Sequence, residues 1–396
     1  MDFALTEEQV ELKKWAHEFA EKEIRPVAAE YDESEEFPWP VLSKAAEAGL
    51  YSMDIYLQSQ ADPTGLTLPI VMEETFWGCA GIGLAIFGTG LPLSALASIG
   101  TQDQLIEWAP KMFGTVEDPK VGAFAVTEPQ AGSDVRSLRT KAVRDGDEWV
   151  LNGTKVFITN GQYANVYIVV ATVDPELGHR GQASFIISRD DPGIRPGKKE
   201  KKLGIRASDT SEVILEDCRI PVDRVLGGME RLEKKLDKAR KGEATGRSSA
   251  ALRTFEITRP SVAIQAVGIA RAALEFAIDY AKDRKAFGVP IAEHQSIQNH
   301  LADMAVAVEA SRLLVHKAAW MAASGQPFTK AEGSMSKLMG AETAVSVTEK
   351  AVQVLGGYGY IKDFPVEKWY RDSKIYTIFE GTSEIQRMVI ARALTS

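Results

Sequence analysis

Two cysteines in 396 residues, Cys79 and Cys218, are too few for a disulfide framework or a cysteine-built zinc site. Histidine is nearly as scarce. His17, His179, His294, His300 and His316 show no HxxxH or HExxH spacing, so no metal site is expected. Neither GxGxxG nor GxxxxGK[ST] occurs, which disfavours a Rossmann or P-loop nucleotide site. Charge is acidic, 46 Lys+Arg against 55 Asp+Glu for a net −9, and offers nucleic acid no broad basic surface. No run of 18 or more apolar residues suggests a membrane span. The opening Met1-Asp-Phe-Ala-Leu-Thr6 has neither the look of a secretory signal nor of a transit peptide, so a cytoplasmic location is expected. What remains is globular: 45% hydrophobic, 26% charged, and long enough for two or three domains.

The chain changes texture twice. Up to about residue 116 it reads as helices. Thr6-Glu7-Glu8-Gln9 resembles a capping box, and Val10, Leu12, Trp15, Phe19 and Ile24 recur at roughly helical spacing. From 117 to 225, short β-branched or aromatic runs (121–127, 148–151, 155–159, 166–172, 183–188, 212–215) alternate with Gly, Pro and Asp clusters, predicting a small antiparallel β-domain. Asn152-Gly153 between two such runs predicts a hairpin turn. Residues 226–257 form a charged connection. Within it Met229, Leu232, Leu236 and Ala239 make one stripe, and Glu230/Lys234 and Asp237/Lys241 are i,i+4 pairs. A solvated helix, a basic lid over an anionic ligand and a docking arm all fit that pattern. From 258 to 396 helices return: Thr258 and Pro260 suggest a cap and first turn, and further helices are expected near 292–323, 330–355 and 383–394.

Three loops could carry chemistry. Thr127-Glu-Pro-Gln-Ala-Gly-Ser-Asp134 follows a strand and would offer backbone N–H groups and hydroxyls to a polar ligand. Gly356-Gly-Tyr-Gly-Tyr360 permits close backbone approach, or simply ends a helix. Phe379-Glu380-Gly381 sets a carboxylate beside an aromatic ring just before the last helix. Such a group either gains proton affinity for general-base work or is stabilised by the helix dipole. Arg284-Lys-Ala-Phe287-Gly288 closes a long helix with cations, as dipole compensation alone would.

In order and company these segments are more telling. Val126-Thr-Glu-Pro-Gln-Ala-Gly-Ser-Asp-Val135, Leu151-Asn-Gly-Thr-Lys-Val-Phe-Ile-Thr-Asn-Gly161, Leu203-Gly-Ile-Arg-Ala-Ser-Asp-Thr210, Asp283-Arg-Lys-Ala-Phe-Gly288, His294-Gln295, Gln353-Val-Leu-Gly-Gly-Tyr-Gly359 and Arg371 to Arg387 resemble the acyl-CoA dehydrogenase family over nearly the whole chain. The resemblance implies an N-terminal helical domain, a central β-domain and a C-terminal four-helix bundle, assembled as a homotetramer. It also implies FAD. Phe124, Val126, Thr127, Gly132, Ser133, Phe157 and Thr159 would line the flavin. Arg284, Phe287, Gln295, Gln353, Gly356 and Gly357 would meet the pyrophosphate and adenosine across a subunit interface, and Thr382 and Glu384 would complete the site. Glu380 would remove the α-proton of an acyl-CoA as the β-hydrogen leaves as hydride. Its own backbone N–H would hold the thioester oxygen. Ser133, Glu256, Arg259, Phe379 and Gly381, with His179 and Arg180, would contact the substrate. Electron-transferring flavoprotein is the implied partner and fatty-acid β-oxidation the implied setting.

Departures from the family pattern are local. Thr258 stands where some relatives carry their base, which leaves Glu380 for the task. Phe157 replaces a common tryptophan, Gln130 a common glycine, and Asp54 to Ala61 a Glu-Tyr-Gly-Gly loop. Residues 229–252 replace a shorter connection and could reach CoA phosphates. Gly81 and Gly83 are expected to leave room in the acyl pocket, partly filled by Leu84 and Phe87. A same-fold oxidase or monooxygenase and a non-catalytic subunit of a heteromer are the competing functions, both disfavoured by the intact Phe379-Glu380-Gly381.

Overall fold

The computed structural model describes residues 4–243 and 250–395, with the side chains of 250–257 outside the description. Eight helices come first: α1 (Glu7–Phe19), α2 (Ala28–Ser34), α3 (Trp39–Glu47), α4 (Met53–Ala61), α5 (Thr67–Gly78), α6 (Ala80–Phe87), α7 (Gly90–Ile99) and α8 (Gln102–Phe113). The capping box at Thr6 forms as its sequence predicts, Thr6 Oγ1 accepting from Gln9 N while Gln9 Oε1 accepts from Thr6 N.

The seven-stranded sheet runs β1 (Gly122–Ala125), β2 (Lys141–Asp145), β3 (Glu148–Thr159), β4 (Val166–Thr172), β5 (Gln182–Ser188), β6 (Ile194–Lys199) and β7 (Thr210–Pro221). Antiparallel pairing dominates, but β1 lies parallel to β4. β4 is buried on both faces and feeds two cores. Val166, Ile168 and Val170 face the helices, while Tyr167, Val169 and Ala171 join Trp149, Phe185 and Leu215 inside the sheet. That explains its unbroken apolar run.

The hairpin expected at Asn152-Gly153 is not there. β3 continues through it, and the turn lies upstream at Gly146-Asp147, between the paired Asp145 and Glu148. Asn152 instead marks a register shift: its side chain exchanges hydrogen bonds with Asp217 of β7, at 3.1 and 2.8 Å. β2 and β6 escaped the sequence pattern because most of their residues are exposed or half-buried.

Helix α9 (Met229–Arg240) puts the expected stripe to use. Leu232 and Ala239 are buried, Met229 and Leu236 half-buried, and Leu232 joins the sheet's inner core. Arg240 pairs with Asp174 at 3.0 Å, Arg231 donates to Ile99 O, and Lys235 to Gln182 O. This helix is docked on the β-domain.

Five helices follow: α10 (Ala250–Asp283), α11 (Gln295–Ala323) and α12 (Glu332–Leu355) pack on one another, a short α13 (Val366–Ser373) intervenes, and α14 (Ser383–Thr395) lies against α12. α10 starts eight residues before the Thr258 cap expected from sequence. Pro260 is thus inside the helix. The hairpin β8 (Lys285–Ala286) and β9 (Val289–Pro290) also went unseen. Its two-residue turn is Phe287-Gly288, both left-handed (φ 54° and 89°). The stretches 80–99 and 258–283 are apolar and long enough to cross a membrane by composition, yet are mostly buried in the fold. Both cysteines are buried free thiols.

The N-terminal helices are bolted to the bundle by charge. Arg271 of α10 reaches Glu73 (3.0 Å) and Glu74 (2.7 Å) of α5, and Arg312 of α11 reaches Glu73 at 2.9 Å. Burial works against ionisation of Glu73, but the Arg312 hydrogen bond and the Arg271 charge hold its pKa below the usual range. Arg271→Met would remove the cation that Glu73 and Glu74 share, leaving Glu73 to Arg312 and Glu74 to His17, a loss of ~1–3 kcal/mol. A clearly lower Tm in thermal melting is the expected result, and an unchanged Tm would refute it.

Candidate active site

Glu380 sits on a turn whose backbone is left-handed at two consecutive residues, Glu380 (φ 55°) and Gly381 (φ 91°). For a glutamate this costs ~1 kcal/mol or more. Position 381 favours glycine because of its φ, and a Cβ there would also displace Gln386 Nε2, 2.6 Å away. Gln386 donates to Glu380 O (3.1 Å) and Gly381 O (2.9 Å), and Lys337 of α12 donates to Tyr376 O (2.6 Å) and Gly381 O (2.7 Å). The turn is thus clamped from two helices.

As a residue Glu380 is partly exposed, but protein crowds its carboxyl. Burial pushes its pKa up to about 7; a hydrogen bond from Thr258 Oγ1 (3.1 Å to Oε2) and the charges of Lys337 and Arg259 pull the other way. Arg259 is itself buried on α10 and donates to Ser334 Oγ at 2.9 Å. Phe379 packs edge-on against the buried Tyr376 ring, 5.0 Å between centroids. A carboxyl poised near neutrality can take a proton from a weak carbon acid if the resulting charge is stabilised. Thr382 Oγ1 accepts from Ile385 N at 3.3 Å, opening α14, and Glu384 lies exposed in the first turn.

A second group of residues gathers where β1 meets β3. Phe124 and Val126 are core side chains, so the strand offers a ligand chiefly its backbone. Thr127 is half-buried, and its carbonyl accepts from Val156 N at 2.9 Å. Thr159 is half-buried at the end of β3. Phe157 is left-handed (φ 59°) and 64% exposed, a flat ring presented outward. Gly132 and Ser133 are exposed, with open space where a Gly132 side chain would go.

Beneath this loop Glu128 and Lys155 form a buried ion pair at 2.7 Å. Glu128 also accepts from Arg139 N (2.6 Å), Thr140 N (2.9 Å), Thr140 Oγ1 (2.5 Å) and Gln130 Nε2 (2.7 Å), and Lys155 donates to Val126 O (2.9 Å). Although burial opposes it, Lys155 and these donors hold the Glu128 pKa down to about 2. Gln130, a departure from the family pattern, contributes one of the bonds.

A third group lies at the other end of the bundle. Arg284, Gly356, Gly357 and Tyr358 line a cleft of about 460 Å³, with the Arg284 guanidinium 5.5 Å from the Tyr358 ring centroid. Phe287 (96% exposed), Gln295 and Gln353 are exposed on the same end of the chain's helices, and Gly356 and Gly357 face open space. From Thr258 to Arg284 the helical rise is about 40 Å, farther than one dinucleotide extends. One chain therefore cannot offer the Glu380 end and the Arg284 end to the same ligand.

Other expectations are also placed. Glu256 lies on α10, its side chain outside the described residues. His179 and Arg180 sit beside Arg136 and Lys235; burial, then these positive neighbours, lower the His179 pKa. The room expected at Gly81 and Gly83 is taken: Ala207 and Ile205 abut the first and the Phe76 ring the second, so these glycines let helices pack. Residues 54–61 form a helix, with Tyr56 against Phe113. Lys337, Gln386 and the Glu128–Lys155 pair were missed. A lone lysine in the run Ser334-Met-Ser-Lys-Leu-Met-Gly-Ala341 was the available signal.

Three family models tile the chain: acyl-CoA dehydrogenase N-terminal domain at residues 6–115, middle domain at 123–218 and C-terminal domain at 248–395. The chain belongs to the acyl-CoA dehydrogenase family. It is 42% identical to the mitochondrial short-chain specific acyl-CoA dehydrogenase of Bos taurus, over 96% of this chain and 88% of that one. Butyryl-CoA dehydrogenase from Megasphaera elsdenii superposes with a TM-score of 0.88 at 36% identity, covering 100% of both chains. A chain from a structure of the electron transferring flavoprotein of Acidaminococcus fermentans gives 0.88 at 37%, covering 100% of this chain and 99% of that one. This acyl-CoA dehydrogenase is thus a flavoprotein oxidoreductase by family, with the expected three-part fold. An outward Phe157 beside an open Gly132, and at the far end the open Gly356 and Gly357 beside the cationic Arg284 cleft, each fit one part of a flavin dinucleotide.

Lys155→Met would leave Glu128 buried without its cation, a loss of ~3–5 kcal/mol at the base of the loop. The purified variant should carry less flavin per chain, by absorbance, and melt earlier. Flavin content and Tm matching wild type would show that the pair does not hold the loop.

Proposed function

We propose that this enzyme converts a short-chain acyl-CoA thioester to its trans-2-enoyl-CoA, with Glu380 as the base that removes the α-proton. The observation that carries this reading is the Glu380 carboxyl, crowded by protein, held toward Thr258 and brought near neutral pKa by burial. The α-proton of a thioester is far less acidic than a carboxylic acid, so the site must favour the developing enolate over the bound ester. The backbone N–H of Glu380 is the proposed donor to the thioester oxygen. Arg259, buried one residue after Thr258, keeps positive charge near the Glu380 carboxyl. Bound FAD would supply the acceptor for the hydride leaving the β-carbon.

Phe157, Thr127, Thr159 and the open Gly132–Ser133 backbone are the proposed flavin wall, with Thr382 and Glu384 closing it. The Arg284, Phe287, Gln295, Gln353, Gly356 and Gly357 end would serve the cofactor of a second chain, because the bundle separates the two ends. A homotetramer built from such pairs is the proposed assembly. Electrons would leave to electron-transferring flavoprotein; similarity to the Acidaminococcus chain supports this. A short acyl group is supported by the names of the bovine and Megasphaera relatives.

Glu380→Gln should slow anaerobic bleaching of the flavin by butyryl-CoA by ~1,000-fold, within the range for a lost general base. Bleaching at the wild-type rate would sink the assignment. Fast peroxide release on admitting air would instead indicate an oxidase.

Proton abstraction needs the ionised carboxyl, so kcat/KM should fall as pH drops below about 7. Thr258 stabilises the ionised form; Thr258→Ala should therefore move that acid limb to higher pH. A pH profile of both enzymes checks the sign, and an unmoved or lowered limb would contradict it.

A further inference from the structure

Lys337 is a charged side chain buried within α12, in a stretch otherwise apolar or small. Its ammonium donates to two carbonyls that bracket Glu380 in the chain, Tyr376 O at 2.6 Å and Gly381 O at 2.7 Å. Between them the backbone passes through the left-handed Glu380–Gly381 pair, a conformation that persists only when its surroundings impose it. Gln386 grips the same turn from α14 through Glu380 O and Gly381 O, but carries no charge. Among the described residues, three ionisable groups face the carboxyl or its clamp: Arg259 from α10, Lys337 from α12 and Glu384 from α14. Arg259 donates to Ser334 Oγ, whereas Lys337 is bonded to the base-bearing turn itself.

We propose that Lys337 is a positioning residue for the proton-abstracting carboxylate: its ammonium fixes the left-handed turn that aims Glu380, and its charge favours the ionised base. The proposal rests on Glu380 being that base. Burial pushes the pKa of Lys337 down to about 8, which the Glu380 carboxylate opposes, so the two charges support each other across the turn. Lys337 touches no reacting atom; it acts through the backbone and the field at Glu380.

The test uses the flavin-loaded enzyme and Lys337→Met, with Lys337→Arg retaining the charge and Glu380→Gln as control for the base itself. K337M should lower kcat roughly 100-fold, the size expected of a slightly misplaced catalytic group, with KM little changed. It should also move the acid limb up by about one pH unit, as loss of a nearby opposite charge requires. K337R should bring the limb back. The infrared carboxyl band present in wild type and absent from E380Q reads the same titration without turnover. If K337M does not hold flavin, Lys337→Gln, which keeps a donor but not the charge, takes its place with the same expected shift. An acid limb and infrared titration that coincide with wild type overturn the proposal whatever the value of kcat, because an ammonium that merely packs the turn would leave Glu380 untouched. If E380Q itself bleaches at the wild-type rate, the base assignment falls first, and the role of Lys337 with it.

Discussion

The structure turns on holding one carboxyl group out of water while leaving it able to ionise. Burial alone would keep Glu380 protonated; full pairing would keep it ionised throughout the ordinary pH range. The protein sets it between these limits with a hydroxyl from Thr258 and two cations, Arg259 and Lys337, drawn from different helices of the bundle. Since Thr258 and Arg259 belong to α10 and Lys337 to α12, the register of those two helices sets the proton affinity of that carboxyl. Their contact is the most extensive between any two helices of the fold.

Much of the fold was legible because each third of the chain has its own hydrophobic period. The capping box at Thr6, the doubly buried β4 and the apolar stripe of α9 were readable, since the physics that builds them is local or nearly so. The misreadings came where tertiary contacts override a local signal. Asn152-Gly153 has turn chemistry, yet β7 supplies Asp217 to absorb the irregularity and the strand continues. Thr258-Pro260 has the chemistry of a helix start, yet proline lacks only one donor and the helix runs through it. Phe287 gave no hairpin signal because a left-handed phenylalanine is disfavoured in any local reading.

The candidate site divides in the same way. Glu380 was readable from its neighbours and from the family resemblance, both carried by contiguous residues. Lys337, Gln386 and the Glu128–Lys155 pair were not, because their partners lie 27 to 44 positions away or act through backbone carbonyls that leave no mark in the sequence. Glycine misled in the opposite sense. Gly81 and Gly83 suggest vacancy when read along the chain, but in space a neighbouring loop and the Phe76 ring occupy it.

The sealed positions of Cys79 and Cys218 have a practical side. With no sulfhydryl at the surface, a cysteine introduced on an exposed helix would be the sole site open to a maleimide dye. Probes could then be attached to chosen faces of the molecule without first stripping the native thiols, and its motions followed by fluorescence.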